Sequence, residues 1–137
     1  MTNAAVPSVA LRGRVLVIED NDDHRVILAL ALRDEGYEVV EVCDGAAAID
    51  YLLQNPEPDV VLLDLILPRL SGWDVLRVLR TYLRLRRIPV IVATGEAAAV
   101  QVPYVNVVGR LQKPYRLDQL FAMLRQHAPL DRDPALG

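Results

Sequence analysis

The feature that most constrains the fold is an alternation. Short apolar, β-branched runs take turns with amphipathic stretches along most of the chain. Arg14-Val-Leu-Val-Ile18 is the first run, and a run so short and so continuously apolar reads as a buried parallel strand. Residues 23–35 then put Val26, Ile27, Leu30 and Ala31 on one helical face, and Gly36 stops that helix. Tyr37 to Cys43 predicts a second strand. Asp44-Gly45 turns the chain into a second helix over Ala46 to Leu53, which ends before Pro56 and Pro58. Asp59 to Asp64 predicts a third strand, and residues 71–86 a third helix with Val75, Val78, Leu79 and Tyr82 facing inward. Pro89 to Thr94 predicts a fourth strand, and Leu117 to His127 a last amphipathic helix.

Alternation of this kind builds a doubly wound α/β unit. Right-handed crossovers place helices on both faces of a parallel sheet. The 137 residues suit one such unit, expected over 13–128, with a flexible leader at 1–12 and a flexible tail at 129–137. In these sheets function gathers at the carboxyl ends of the strands.

Composition narrows the function classes. The net charge of −3 gives no strong field toward nucleic acid, and no helix-turn-helix pattern is legible, so direct nucleic-acid binding is not expected. One cysteine, Cys43, excludes an internal disulfide; it is expected as a small apolar filler at a strand end. The longest apolar run, Val60 to Pro68, is interrupted by Asp64 and is too short to cross a bilayer. A soluble cytoplasmic protein, away from membranes, is expected.

The strand ends carry the chemistry. Strand one ends in Glu19-Asp20, strand three in Asp64 and strand four in Thr94-Gly95, while Lys113-Pro114 precedes the last helix. Three carboxylates, a hydroxyl and an amine thus converge on one rim. Clustered carboxylates repel, and a divalent cation removes the penalty. All-oxygen ligands with positions left to water suit magnesium, which also takes phosphate oxygens. Lys113 is the sole lysine beside fourteen arginines, which singles it out as a site for a compact ammonium.

Val-Leu-Val-Ile-Glu19-Asp20, the segment Pro58 to Gly72 around Asp64, Pro89-Val-Ile-Val-Ala-Thr94-Gly95 and Lys113-Pro114 together resemble the receiver domains of two-component response regulators. The resemblance runs from about residue 13 to 128. It implies a flavodoxin-like, five-stranded parallel sheet in the order 2-1-3-4-5. It implies that Asp64 accepts a phosphoryl group from a sensor histidine kinase or phosphotransfer protein. Magnesium would be held by Glu19, Asp20, Asp64 and the backbone carbonyl of Ile66, with Asp20 the favoured direct ligand of the acidic pair. Thr94 and Lys113 would contact the phosphoryl oxygens, and the Lys113–Pro114 bond would be cis. Such a domain is not an enzyme beyond assisting its own phosphorylation and dephosphorylation, and it signals by binding another protein or by forming a homodimer.

Three departures from the family pattern matter. Glu19 replaces the commoner aspartate. Arg110 stands where an aromatic usually works with the threonine as a switch. The segment between Thr94 and Lys113 is short, valine-rich and broken by Pro103, so the helix between strands four and five is expected to be short or absent. These departures keep a second reading open, a pseudo-receiver that binds partners without cycling through phosphorylation. A flavodoxin-like cofactor protein would need a Ser/Thr/Gly phosphate loop after strand one, where this chain has Glu-Asp-Asn-Asp-Asp. A haloacid-dehalogenase-type phosphatase would need Asp-x-Asp there.

Other polar residues have plainer accounts. Asp22 and Asp23 are expected as first-turn acids, and His24 and His127 as solvated side chains. Arg77, Arg80, Arg84 and Arg87 recur at helical spacing and are expected as the charged, solvated face of the third helix.

Overall fold

A computed structural model describes residues 13–67, 69–95 and 106–128. Five strands, β1 (Arg14–Ile18), β2 (Glu38–Val42), β3 (Val60–Leu63), β4 (Val90–Thr94) and β5 (Val107–Gln112), pair in parallel in the order β2-β1-β3-β4-β5. The helices are α1 (Asp22–Asp34), α2 (Gly45–Gln54), α3 (Gly72–Thr81) and α4 (Leu117–His127). This is the expected doubly wound receiver topology. The expected leader and tail, and the reduced helix between β4 and β5, fall outside the described residues.

Pleating sorts each strand between two cores. In β1, Leu16 and Ile18 join Ala48 and Leu52 of α2 and Val75, Leu76 and Leu79 of α3. Val15 and Val17 point the other way, to Leu28, Ala29 and Leu32 of α1 and Leu120 and Leu124 of α4. Burial on both faces explains why these strands read as continuous apolar runs.

Helix α1 turns a different face inward from the expected one. Leu28, Ala29 and Leu32 are buried, whereas Val26, Ile27 and Leu30 are exposed. The segment is apolar almost all round, so periodicity alone did not select the stripe. Arg25 lies on the same stripe as Leu28, Ala29 and Leu32, and its contacts with Glu19 and Glu41 require that stripe to face the sheet.

Helix α3 is shorter than the 71–86 expected. Ser71 and Asp74 form a capping box at its start, and Tyr82 leaves the helix with φ −93° and ψ 127°. A 3₁₀ turn follows at Leu83–Leu85, anchored by the fully buried Leu85. Tyr82 is therefore exposed rather than inward, although Val75 and Leu79 are buried and Val78 is half-buried. The break also splits the arginine series. Arg77 and Arg80 are exposed on α3, but Arg84 donates from the turn to the carbonyls of Leu52 and Asn55 and pairs with Glu57 at 3.0 Å. It clamps the end of α2. Cys43 is exposed just beyond β2, not packed as a filler. His24 is exposed, and Asp22 and Asp23 lie in the first turn of α1, as expected.

Candidate functional site

Parallel strands that all start at one edge must all end at the other, and this brings the sequence-selected residues together. Glu19 and Asp20 follow β1, Asp64 follows β3, Thr94 ends β4 and Lys113 follows β5. Glu19, Asp64 and Thr94 are buried, while Asp20 is exposed. Each acid offers one carboxylate oxygen to a group whose members lie within 4.8 Å of one another.

Lys113 closes the cluster. Its backbone N–H donates to the Thr94 carbonyl at 2.9 Å. Its Nζ donates to Glu19 Oε1 at 2.6 Å and to Asp64 Oδ2 at 2.9 Å. Burial alone would lower the pKa of this ammonium, but the bonds and charges of Glu19 and Asp64 outweigh burial and hold it above the ordinary lysine value. Burial is also the main reason that the neighbouring Tyr115 hydroxyl titrates above its usual range. The Lys113–Pro114 peptide bond is cis, as the resemblance implies.

The remaining oxygens are oriented by backbone. Glu19 Oε2 accepts from the N–H of Asn21 at 3.1 Å, and Asp64 Oδ1 accepts from the N–H of Ile66 at 3.0 Å. Asp20 has no hydrogen bond or ion pair among the described residues.

The donor set fits a divalent cation. Three carboxylates and one ammonium leave two formal negative charges at the rim. Glu19, Asp20 and Asp64 would hold such a cation, and its charge would offset their mutual repulsion.

Two glycines missing from the sequence-derived site shape it. A Cβ on Gly72 would stand 2.5 Å from Leu65 Cα and 2.6 Å from the Asp64 carbonyl oxygen. A Cβ on Gly45 would overlap the backbone of Leu70. The loop that carries Asp64 is thus pressed between the starts of α2 and α3. Asp44-Gly45 and Ser71-Gly72 read as turn and cap signals in the sequence; the close approaches are tertiary.

Arg110 lies in β5 opposite Val92 and is half-buried. Glu96, a candidate acid partner for Arg110 because it lies just after Thr94 in the sequence, falls outside the described residues. A separate groove of about 840 Å³, lined by residues including Pro58, Arg84, Arg87 and Ile88, lies at the amino ends of β3 and β4, away from the acidic rim.

Known proteins resemble this chain in sequence and in fold. The chain is 32% identical over 126 residues to the DNA-binding response regulator MtrA of Mycolicibacterium smegmatis, covering 90% of this chain and 54% of that protein. It is 34% identical over 135 residues to the transcriptional regulatory protein TcrA of Mycobacterium tuberculosis, covering 90% and 50%. The chain therefore spans about half the length of the curated relatives it matches. Among solved structures, it resembles the receiver domain of the sensor histidine kinase PA1611 of Pseudomonas aeruginosa, which has a magnesium ion coordinated in its active-site cleft. The TM-score is 0.74 at 29% identity, over 85% of this chain and 97% of that one. The Mn(2+)-bound form of response regulator Rcp1 matches with a TM-score of 0.69 at 30% identity, over 83% and 90%. Residues 15–125 match the response regulator receiver domain family, and with the strand order and the acidic rim at the strand ends, this chain belongs to that family.

Proposed function

We propose that this receiver is phosphorylated on Asp64 by a sensor histidine kinase or phosphotransfer protein in the cytoplasm, and that it signals by binding a protein partner. The observation that carries the reading is the ammonium of Lys113 joined to both Glu19 and Asp64, beside Thr94 and Asp20.

An Asp64 carboxylate oxygen attacks the phosphorus of a phosphohistidine. The new O–P bond forms as the N–P bond breaks, and the imidazole nitrogen leaves with the electron pair. Glu19, Asp20, Asp64 and the carbonyl of Ile66 would hold magnesium. When bound, the ion offsets the charge on the phosphoryl oxygens during transfer. Lys113 exchanges its bond to Asp64 for one to a phosphoryl oxygen, and the Thr94 hydroxyl takes another.

The exposed Val26, Ile27 and Leu30, on the helix that begins at the acidic turn, support a protein partner, because apolar surface of this kind is commonly buried by association. No described helix is long and apolar enough to cross a membrane. The reading stops at the receiver, since the curated relatives extend well beyond it.

The test is incubation with acetyl phosphate and magnesium followed by intact mass. The wild type should gain one phosphoryl group and Asp64→Asn none. Undiminished incorporation in Asp64→Asn would reassign the acceptor. No incorporation by the folded wild type, even with donor kinases, would favour the pseudo-receiver reading, which the arginine at position 110 keeps in play.

Thr94 and Arg110 form the proposed switch pair. An aromatic fills an apolar space, whereas a guanidinium must keep its charge solvated or paired, so Arg110 does not turn inward as an aromatic does. Beryllofluoride should therefore change amide exchange over 107–112 little, and a large protection change that survives Arg110→Ala would remove Arg110 from the switch.

A further inference from the structure

Asp20 is the one acid of the rim with nothing of its own to orient it. It is exposed and makes no hydrogen bond or ion pair among the described residues. Its direction is set by the peptides on either side: Arg25 holds the one before it and the Glu19 carboxylate the one after. The Arg25 guanidinium donates through Nη1 to the carbonyl of Glu19 at 3.1 Å. The N–H of Asn21 donates to Glu19 Oε2 at 3.1 Å.

The guanidinium is itself braced. Nη2 pairs with Asp22 at 2.7 Å and Nε with Glu41 of β2 at 3.6 Å, and the side chain is 15% exposed. Arg33 pairs with the second oxygen of Glu41 at 3.2 Å, which steadies that acid in turn. A planar fork can satisfy three acceptors at fixed angles; an ammonium on a flexible stem cannot reproduce that set.

A positive charge so near a cation site opposes binding by Coulomb's law. Its two carboxylate partners offset this, which leaves the hydrogen bond to Glu19 as its contribution to the site. We propose that Arg25 is a positioning residue for Asp20, fixing the Glu19–Asn21 turn so that the carboxylate faces a divalent cation. The inference rests on the magnesium reading of the rim.

Charge and geometry predict opposite signs, and that makes the test decisive. Magnesium is titrated into the full chain by calorimetry and Trp73 fluorescence, with urea unfolding in chelator as the stability measure. The proteins are wild type, Arg25→Ala, Arg25→Lys and Arg33→Ala. Arg25→Ala should weaken magnesium affinity about tenfold, the scale on which partners of metal ligands act. Arg25→Lys, which keeps the charge, should also weaken it, by about threefold or more. Arg33→Ala removes the same charge without touching the acidic turn and should stay within about twofold of wild type.

Unchanged or tighter binding in Arg25→Ala overturns the inference, whatever happens to its stability. If Arg25→Ala does not fold, wild-type affinity in Arg25→Lys overturns it instead. A wild type that binds no magnesium overturns the underlying reading and the inference with it. A wild type that binds, beside Arg25 variants that bind equally well, overturns the inference alone.

Discussion

The backbone N–H of Lys113 donates to the carbonyl of Thr94 at 2.9 Å, and this bond seats the lysine at the acidic rim. It extends the β4–β5 ladder by one step beyond the Thr94–Gln112 pair. The ammonium then needs only its own length to reach Glu19 and Asp64, which lie 94 and 49 residues away in sequence.

Removing that ammonium leaves two largely buried carboxylates facing each other. Breaking one partner of a buried pair costs about 3–5 kcal/mol, and the partial exposure of Lys113 brings the expectation nearer about 2 kcal/mol. Lys113→Ala should lower unfolding free energy by that order in chelator, as measured in urea. Lys113→Arg should bind magnesium yet lose the spectroscopic response to beryllofluoride, because a broad fork does not replace a compact ammonium. An unchanged response would refute that role.

Magnesium should stabilise the native state, since it relieves repulsion that exists only when the three acids converge. At a concentration ten times its dissociation constant the gain is about 1.4 kcal/mol. The shift in melting temperature should shrink in Asp20→Asn. A full shift in that variant would show that Asp20 is not a ligand.

Gly72→Ala should strain the loop that carries Asp64. The added methyl meets Leu65 Cα and the Asp64 carbonyl, both backbone, so no flexible side chain can give way. Overpacking of this kind costs about 1–3 kcal/mol. Denaturation should report that loss, and acetyl phosphate should label the variant more slowly than wild type. Wild-type values in both would mean that the backbone accommodates the methyl.

The two apolar stripes of α1 should separate cleanly in stability. Leu28→Ala and Leu32→Ala remove fully packed side chains and should cost about 2–5 kcal/mol. Ile27→Ala and Leu30→Ala should change stability by about 0.5 kcal/mol or less. Equal losses on both stripes would contradict the observed face.

Much of this protein was legible before any coordinates. Strand–helix alternation is a local property, and a parallel sheet with right-handed crossovers leaves few ways to satisfy it. Once the strands are parallel, Glu19, Asp20, Asp64 and Thr94 share a rim because each lies at a strand's carboxyl end, and Lys113 joins them from the segment after β5. Tertiary structure decided what periodicity left degenerate. Helix α1 carries apolar residues on two stripes, and the inward one is the stripe that also carries Arg25 to Glu19 and Glu41. Helix α3 had helical spacing through residue 86, but the chain leaves the helix at Tyr82, Leu85 enters the core and Arg84 caps the end of α2. Gly72 reads as a helix start in sequence, and only packing shows that it makes room for the backbone of Asp64. Period and strand ends are written in the order of residues along the chain; the choice among equivalent faces belongs to contacts between residues far apart in it.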